Sequence, residues 1–181
     1  LNKIANDLRL LASGPRNGLG ELEQPENQPG SSIMPGKINP VVAEAVNQVH
    51  KQVVGNDAAV AAGAAEGQLD LNLYKPVIAH NVLQSTALLT NAAETFGTRF
   101  VANLDANEAV CTEQVDRSMA LATALNPTIG YDKASTVAKT ALKQGKTIRE
   151  VVVEKGYLTE AEADEVFDPA SMTHRGILGE E

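Results

Sequence analysis

Apolar residues recur along most of this chain at the spacing of a helix. Leu1, Ile4, Leu8 and Leu11 share one helical face, and "SGPRNG" closes that element near residue 13. From Pro40 to about Ala65 the positions Val41, Val42, Ala45, Val46, Val49, Val53 and Val54 keep the same period and predict a long helix. Its later part, "AAVAAGAA", is nearly all small residues, which lets neighbouring backbones approach closely on several sides. "GQLDLNLYKP" interrupts the pattern, and Pro76 suits the first turn of the next helix. There Val77, Ile78, Val82, Leu83, Leu88, Leu89, Ala92, Phe96, Phe100 and Val101 form a second stripe. At ~1.5 Å per residue each of these helices would be roughly 35 to 40 Å long. Helices of that length, apolar on more than one face, imply a bundle completed by other chains.

After "NLDAN" the pieces shorten. One spans 107–124, "LNPTIGYDKA" follows, and three short helical stretches start near Tyr131, Thr147 and Thr159. Thr147 with Glu150, and Thr159 with Glu162, are capping-box pairs. No strand-like alternation stands out. The expected fold class is all-α, with residues 1–104 forming the later part of a long-helix bundle domain that includes a loop at 24–40. Residues 105–181 are expected to form a small helical C-terminal domain.

Composition narrows the classes. Of 181 residues 43% are apolar and 21% charged, and no run approaches the ~18 uninterrupted apolar residues of a membrane span. The first residues lack the basic leader, long apolar stretch and cleavage site of a signal peptide. They start in helical phase without a methionine, and the expectation is a piece of a longer protein. Cys111 is the only cysteine, so no intramolecular disulfide can form and a cytoplasmic setting is expected. Cys111 itself reads as a small buried hydrophobe. A net charge of −8 argues against a nucleic-acid surface, and the absence of Trp argues against base-stacking platforms. An acidic chain can still bind an anion where one cation and oriented amides dominate a site.

Residues 14–39 read as a long loop, and loops of that length are usually functional. Its end, "GSSIMPGKINP" at 30–40, places Ser31, Ser32, Lys37 and Asn39 within nine residues. Asn39 is a strong N-cap and Pro40 suits the first helical position, so the loop would deliver Lys37 to the positive end of the long helix. Such an arrangement suits a dicarboxylate, or a carbanion stabilised by its own carboxylate. The plainer readings are local turn bonds for the serines, a solvated Lys37, and a Glu44 placed by the helix dipole. His50 and His80 read as core or interface residues, and the acidic "TEAEADEVFD" as a solvated helix face without metal-ligand spacing.

The same stretch resembles the signature loop of the fumarase/aspartase superfamily. The similarity extends through "IANDLRLLASGPRNGLGE", "VVGNDAAV", "LDLNLYKPVIAHN" and "ALNPTIGYDKA" to essentially the whole chain. "MPGK", "LYKPVIAHN" and "NPTIGYDKA" are most like class II fumarases, whereas "VVAEAVNQV" and "GQLDLN" lean toward aspartases. The resemblance implies a lyase that reversibly hydrates fumarate to L-malate through an aci-carboxylate intermediate, with no metal and no organic cofactor. It implies Ser31 as the general base on the C3 proton and Ser32 as a contact to a substrate carboxylate. Lys37 and Asn39 would hold the carboxylate where charge accumulates, with the Ile38 backbone between them. Glu44 would pair with a histidine supplied by another region. None of His50, His80 or His174 sits in the motif for that histidine. Family sites combine three regions from three subunits, so no hydration is expected of this chain alone; the apolar faces of residues 40–65 and 73–102 lead to the expectation of a homotetramer for the full-length protein. Aspartate ammonia-lyase, or a non-catalytic structural member, are the alternatives.

Overall fold

The computed structural model describes residues 1–14, 16–28, 30 and 33–173. The chain divides into two compact units, Leu1–Asn107 and Glu108–Glu181.

In the first unit, α1 (Asn2–Leu11) packs on the start of α2 (Val41–Ala65), and α3 (Lys75–Arg99) returns along α2. Helices α2 and α3 have 25 residues each, about 37 Å of helix. The hairpin joining them is tight, because Gln68 and Leu71 exchange backbone bonds of 2.8 and 3.0 Å. Just before the turn, an added Cβ on Gly63 would stand 3.2 Å from Ile78 Cγ1, so the missing side chain is what allows this close approach. At the other end Val42, Ala43 and Val46 of α2 form a small core with Ala5, Phe96 and Phe100, whose two rings stack at 5.4 Å. Between these contacts sits a buried polar knot. The Asn56 amide donates to Gln84 Oε1 and Ser85 Oγ, both at 2.9 Å, and Gln52 Nε2 donates to Asn56 Oδ1 at 2.8 Å. A shift of one turn would strand a buried amide, so this knot fixes the register of the pair.

Two expectations are corrected here. The long helix starts one residue late: Pro40 is its N-cap residue, and Asn39 makes no side-chain cap. The Val41 N–H bonds the Asn39 carbonyl at 2.9 Å, which makes 39–41 a turn ahead of the first helical bond, from Glu44 N to Pro40 O. The chain also contains a strand pair, β1 (Leu22–Glu23) with β2 (Asp105–Ala106), antiparallel. Two residues per strand are too few to produce a readable alternation. The fold remains a helical one. His50 and His80 are exposed within this unit and belong to no core.

The second unit opens with α4 (Glu108–Asp116). The stretch expected as one helix over 107–124 breaks at Ser118, whose hydroxyl accepts from Ala120 N at 3.2 Å and caps a 3₁₀ segment, Met119–Leu125. Among the described residues five further helices follow: α5 (Asn126–Ile129), α6 (Tyr131–Gln144), α7 (Ile148–Glu154), α8 (Glu160–Val166) and α9 (Pro169–Met172). Their core is Leu121, Leu125, Val137, Ala141, Ile148, Val151 and Val152, with Leu158 and Phe167 at its edge. Both capping boxes form as the sequence indicates, on α7 and α8. Arg149 then ties α7 to α8 by ion pairs with Asp164 and, at 3.8 Å, with Glu160. Cys111 is half-buried rather than buried.

Candidate functional site

The loop after α1 folds back onto the end of that helix. Gly20 N donates to Ser13 O at 2.7 Å and Glu21 N to Leu11 O at 2.9 Å. The chain then passes through β1, and Gln24 Nε2 donates to the Ile38 carbonyl at 3.2 Å. A second constraint lies next to it. A Cβ built on Gly30 would stand 2.3 Å from the Lys37 carbonyl oxygen, so only glycine fits there. Gln24 thus holds the Ile38 carbonyl, and the backbone at Gly30 passes close against the Lys37 carbonyl before it. Beyond this pinched base the loop turns through a bond from Lys37 N to Met34 O and through Gly36 at φ +78°, and it exposes Ile33 and Met34.

Between the end of α1, the 13–24 segment and the 36–40 segment lies a cavity of about 880 Å³. Lys37, Ile38, Asn39 and Glu44 all line it, so four of the residues singled out in the sequence share one space. Ser31 and Ser32 lie outside the described residues. Pro40 at the start of α2 also lines the cavity, which turns the positive end of a 25-residue helix toward it. Because Asn39 is not consumed as a cap, its side chain is not committed to the helix end.

Glu44 sits in the first turn of α2, half-buried. Arg9 of α1 reaches across with Nη2 3.3 Å from Glu44 Oε1 and Nη1 3.0 Å from Asn47 Oδ1. Asn47 is itself buried, and its amide donates to Asn2 Oδ1 at 2.8 Å. Lys51 Nζ reaches the same Asn2 oxygen at 3.3 Å. Arg9 Nε and Gln24 Oε1 are both buried, with no hydrogen-bond partner among the described residues. Arg9 and Gln24 line the cavity as well, and neither was singled out from the sequence. A signal for Arg9 was present: Asn2 and Arg9 stand seven apart on one face of α1, opposite Glu44, Asn47 and Lys51 at helical spacing on α2. Gln24 has no such signal, since it lies in an irregular segment.

A cation, an amide, a helix N-terminus and a clamped carboxylate around one cavity can bind an anion and place a carboxylate beside it. Among the described residues no group of His, Cys, Asp and Glu could hold a metal ion, and no helix is long and apolar enough to cross a membrane.

Comparison with known proteins adds an independent observation. Residues 1–55 match a family model described as lyase, and residues 121–174 match one described as fumarase C C-terminus. The chain is 83% identical over 170 residues to the class II fumarate hydratase of Halobacterium salinarum, covering 94% of this chain and 36% of that protein. It is 50% identical over 172 residues to the aspartate ammonia-lyase of Helicobacter pylori, covering 95% of this chain and 37% of that protein. Among solved structures it superposes on a class II fumarase from Schistosoma mansoni with a TM-score of 0.84 and 41% identity, over 94% of this chain and 36% of that one. The chain therefore spans little more than a third of the length of these relatives.

Proposed function

The chain belongs to the fumarase/aspartase superfamily of lyases, and from that premise we propose that it is the C-terminal part of a class II fumarate hydratase subunit. Fumarate and L-malate are the reactants of this reading. The observation that carries it is the shared cavity of Lys37, Asn39 and Glu44 at the start of α2, in a chain so similar to a fumarate hydratase.

In the dehydration direction a base removes the C3 proton of L-malate. Negative charge then spreads onto the adjacent carboxylate as the aci-carboxylate forms, and the C2 hydroxyl takes a proton from a general acid and leaves as water. Lys37 and Asn39 are assigned to that carboxylate, with the helix N-terminus adding its amides. Donors placed where charge develops are worth most in a water-poor site. Ser31 is assigned as the base and Ser32 as a second carboxylate contact. Glu44 is assigned to orient a histidine from outside this chain. A serine base needs its oxyanion stabilised by nearby amides or cations, and Lys37 is the cation this loop supplies. In this reading residues 1–104 complete a helical bundle with other chains, residues 105–181 form a separate small domain, and the enzyme is a cytoplasmic homotetramer acting in central carbon metabolism.

The test is complementation of the chain. Joined to the N-terminal part of the Halobacterium salinarum relative, residues 1–181 are expected to convert fumarate to L-malate, followed by loss of double-bond absorbance. The 181-residue chain alone is expected to be silent. A completed, folded protein that leaves fumarate unchanged would overturn the proposal. Ser31→Ala in the completed protein should lower kcat by orders of magnitude with little change in directly measured substrate affinity.

A further inference from the structure

We propose that Arg9 is a positioning residue for Glu44, an inference that rests on the role given to Glu44 above. Its guanidinium is used as a two-pronged clamp. One prong holds Glu44 Oε1 at 3.3 Å and the other holds Asn47 Oδ1 at 3.0 Å, three residues further along the same face of α2. Asn47 is 7% exposed and is locked in turn by Asn2, so the second prong is anchored on a rigid point. A planar guanidinium fixed at one edge presents its other edge in a defined direction, which an ammonium on a flexible stem cannot do. The Glu44 carboxylate is therefore held through one oxygen. Its second oxygen remains as the acceptor for an imidazole N–H, and its orientation is set by α1 rather than by its own rotamer preference.

The contact is too exposed for its stability value to explain it. With side chains 36% and 41% exposed, an ion pair of this kind is screened by solvent and contributes little to stability. Arg9 also keeps Nε buried and without a partner among the described residues, a cost that a purely structural cross-link between two helices would not need to bear. The same helix pair already has another link, through Asn2 to Asn47 and Lys51.

The completed protein described above provides the test, with Asn56→Ala as the control. Asn56→Ala removes a buried link between α2 and α3 and touches neither Arg9, Asn47 nor Glu44. Arg9→Met is expected to lower kcat about tenfold or more while KM for fumarate changes less than twofold, since displaced catalytic geometry costs rate rather than binding. Asn56→Ala is expected to lower Tm with kcat unchanged. Arg9→Lys keeps the charge but loses the fork, and should fall between wild type and Arg9→Met; it also serves should Arg9→Met fail to fold. Equal loss of kcat in Arg9→Lys or Arg9→Met and in Asn56→Ala, in proportion to Tm, would show a merely structural link and overturn the inference. So would wild-type kcat in either Arg9 variant. Both results leave fumarate hydration itself standing, whereas an inactive wild-type protein would remove the function and this inference together.

Discussion

Lys37 is an exposed lysine by its own accessibility, and its importance lies in what surrounds it. It stands at a cavity wall with Asn39, beside the N-terminal end of a long helix. Lys37→Met in the completed protein should weaken substrate binding and lower kcat by about a hundredfold, because the contact exists in the ground state and strengthens as charge grows. Steady-state kinetics together with direct binding would check both effects, and a loss confined to KM would mean uniform binding only. Gly30→Ala tests the loop base in a different way. The added methyl would meet the Lys37 carbonyl at 2.3 Å, which is backbone and cannot rotate aside. That variant should lose kcat with Tm nearly unchanged, since the strain opens an exposed loop and not a core. At this scale Lys37 and Asn39 stand out in the sequence because they lie within one short motif, and Glu44 because it follows one helical turn beyond it. Arg9 and Gln24 were not legible, because their partners lie 35 and 14 residues away and only the fold brings them together.

Helix ends in the second unit make a pH-dependent prediction. Glu150 and Glu162 accept bonds from the backbone and hydroxyl of Thr147 and Thr159, and these bonds hold both carboxyls below the usual 4.5. A lowered carboxyl pKa stabilises the folded state fully above the unfolded value, and this stabilisation is lost as pH falls from about 4.5 through the folded value. Thermal melts of residues 108–181 should therefore show Tm dropping as pH falls below 4.5, more shallowly in Glu150→Gln and Glu162→Gln than in wild type. Thr147→Ala should cost about 1 kcal/mol at neutral pH, the usual value of an N-cap. In the first unit, Asn56→Ala would remove a buried amide bonded to Gln84 and Ser85 and should cost about 1 kcal/mol in denaturant melts, since the partners it leaves can turn to water. Both capping boxes and both long helices were legible because each rests on a short-range pattern. The 3₁₀ break at Ser118 and the delayed start of α2 at Val41 were not, since each turns on a local bond that an apolar periodicity does not encode.

For the whole molecule, the two long helices carry apolar residues that their own unit leaves exposed. Val54, Val77, Val82, Leu83 and Leu89 are between 39% and 69% exposed, spread along both α2 and α3. Faces of this kind are consistent with the proposed homotetramer, and light scattering on the completed protein should give four subunits per particle; an active monomer would contradict it. The central claim is the reaction itself, and similarity to both a fumarate hydratase and an aspartate ammonia-lyase makes the product the decisive observable. The most direct measurement is proton NMR of fumarate incubated with the completed protein in D₂O containing ammonia. Hydration by proton delivery to C3 predicts malate carrying a single deuterium at that carbon, with aspartate below detection. Aspartate as the main product, or fumarate left unchanged by a folded protein, would contradict the account.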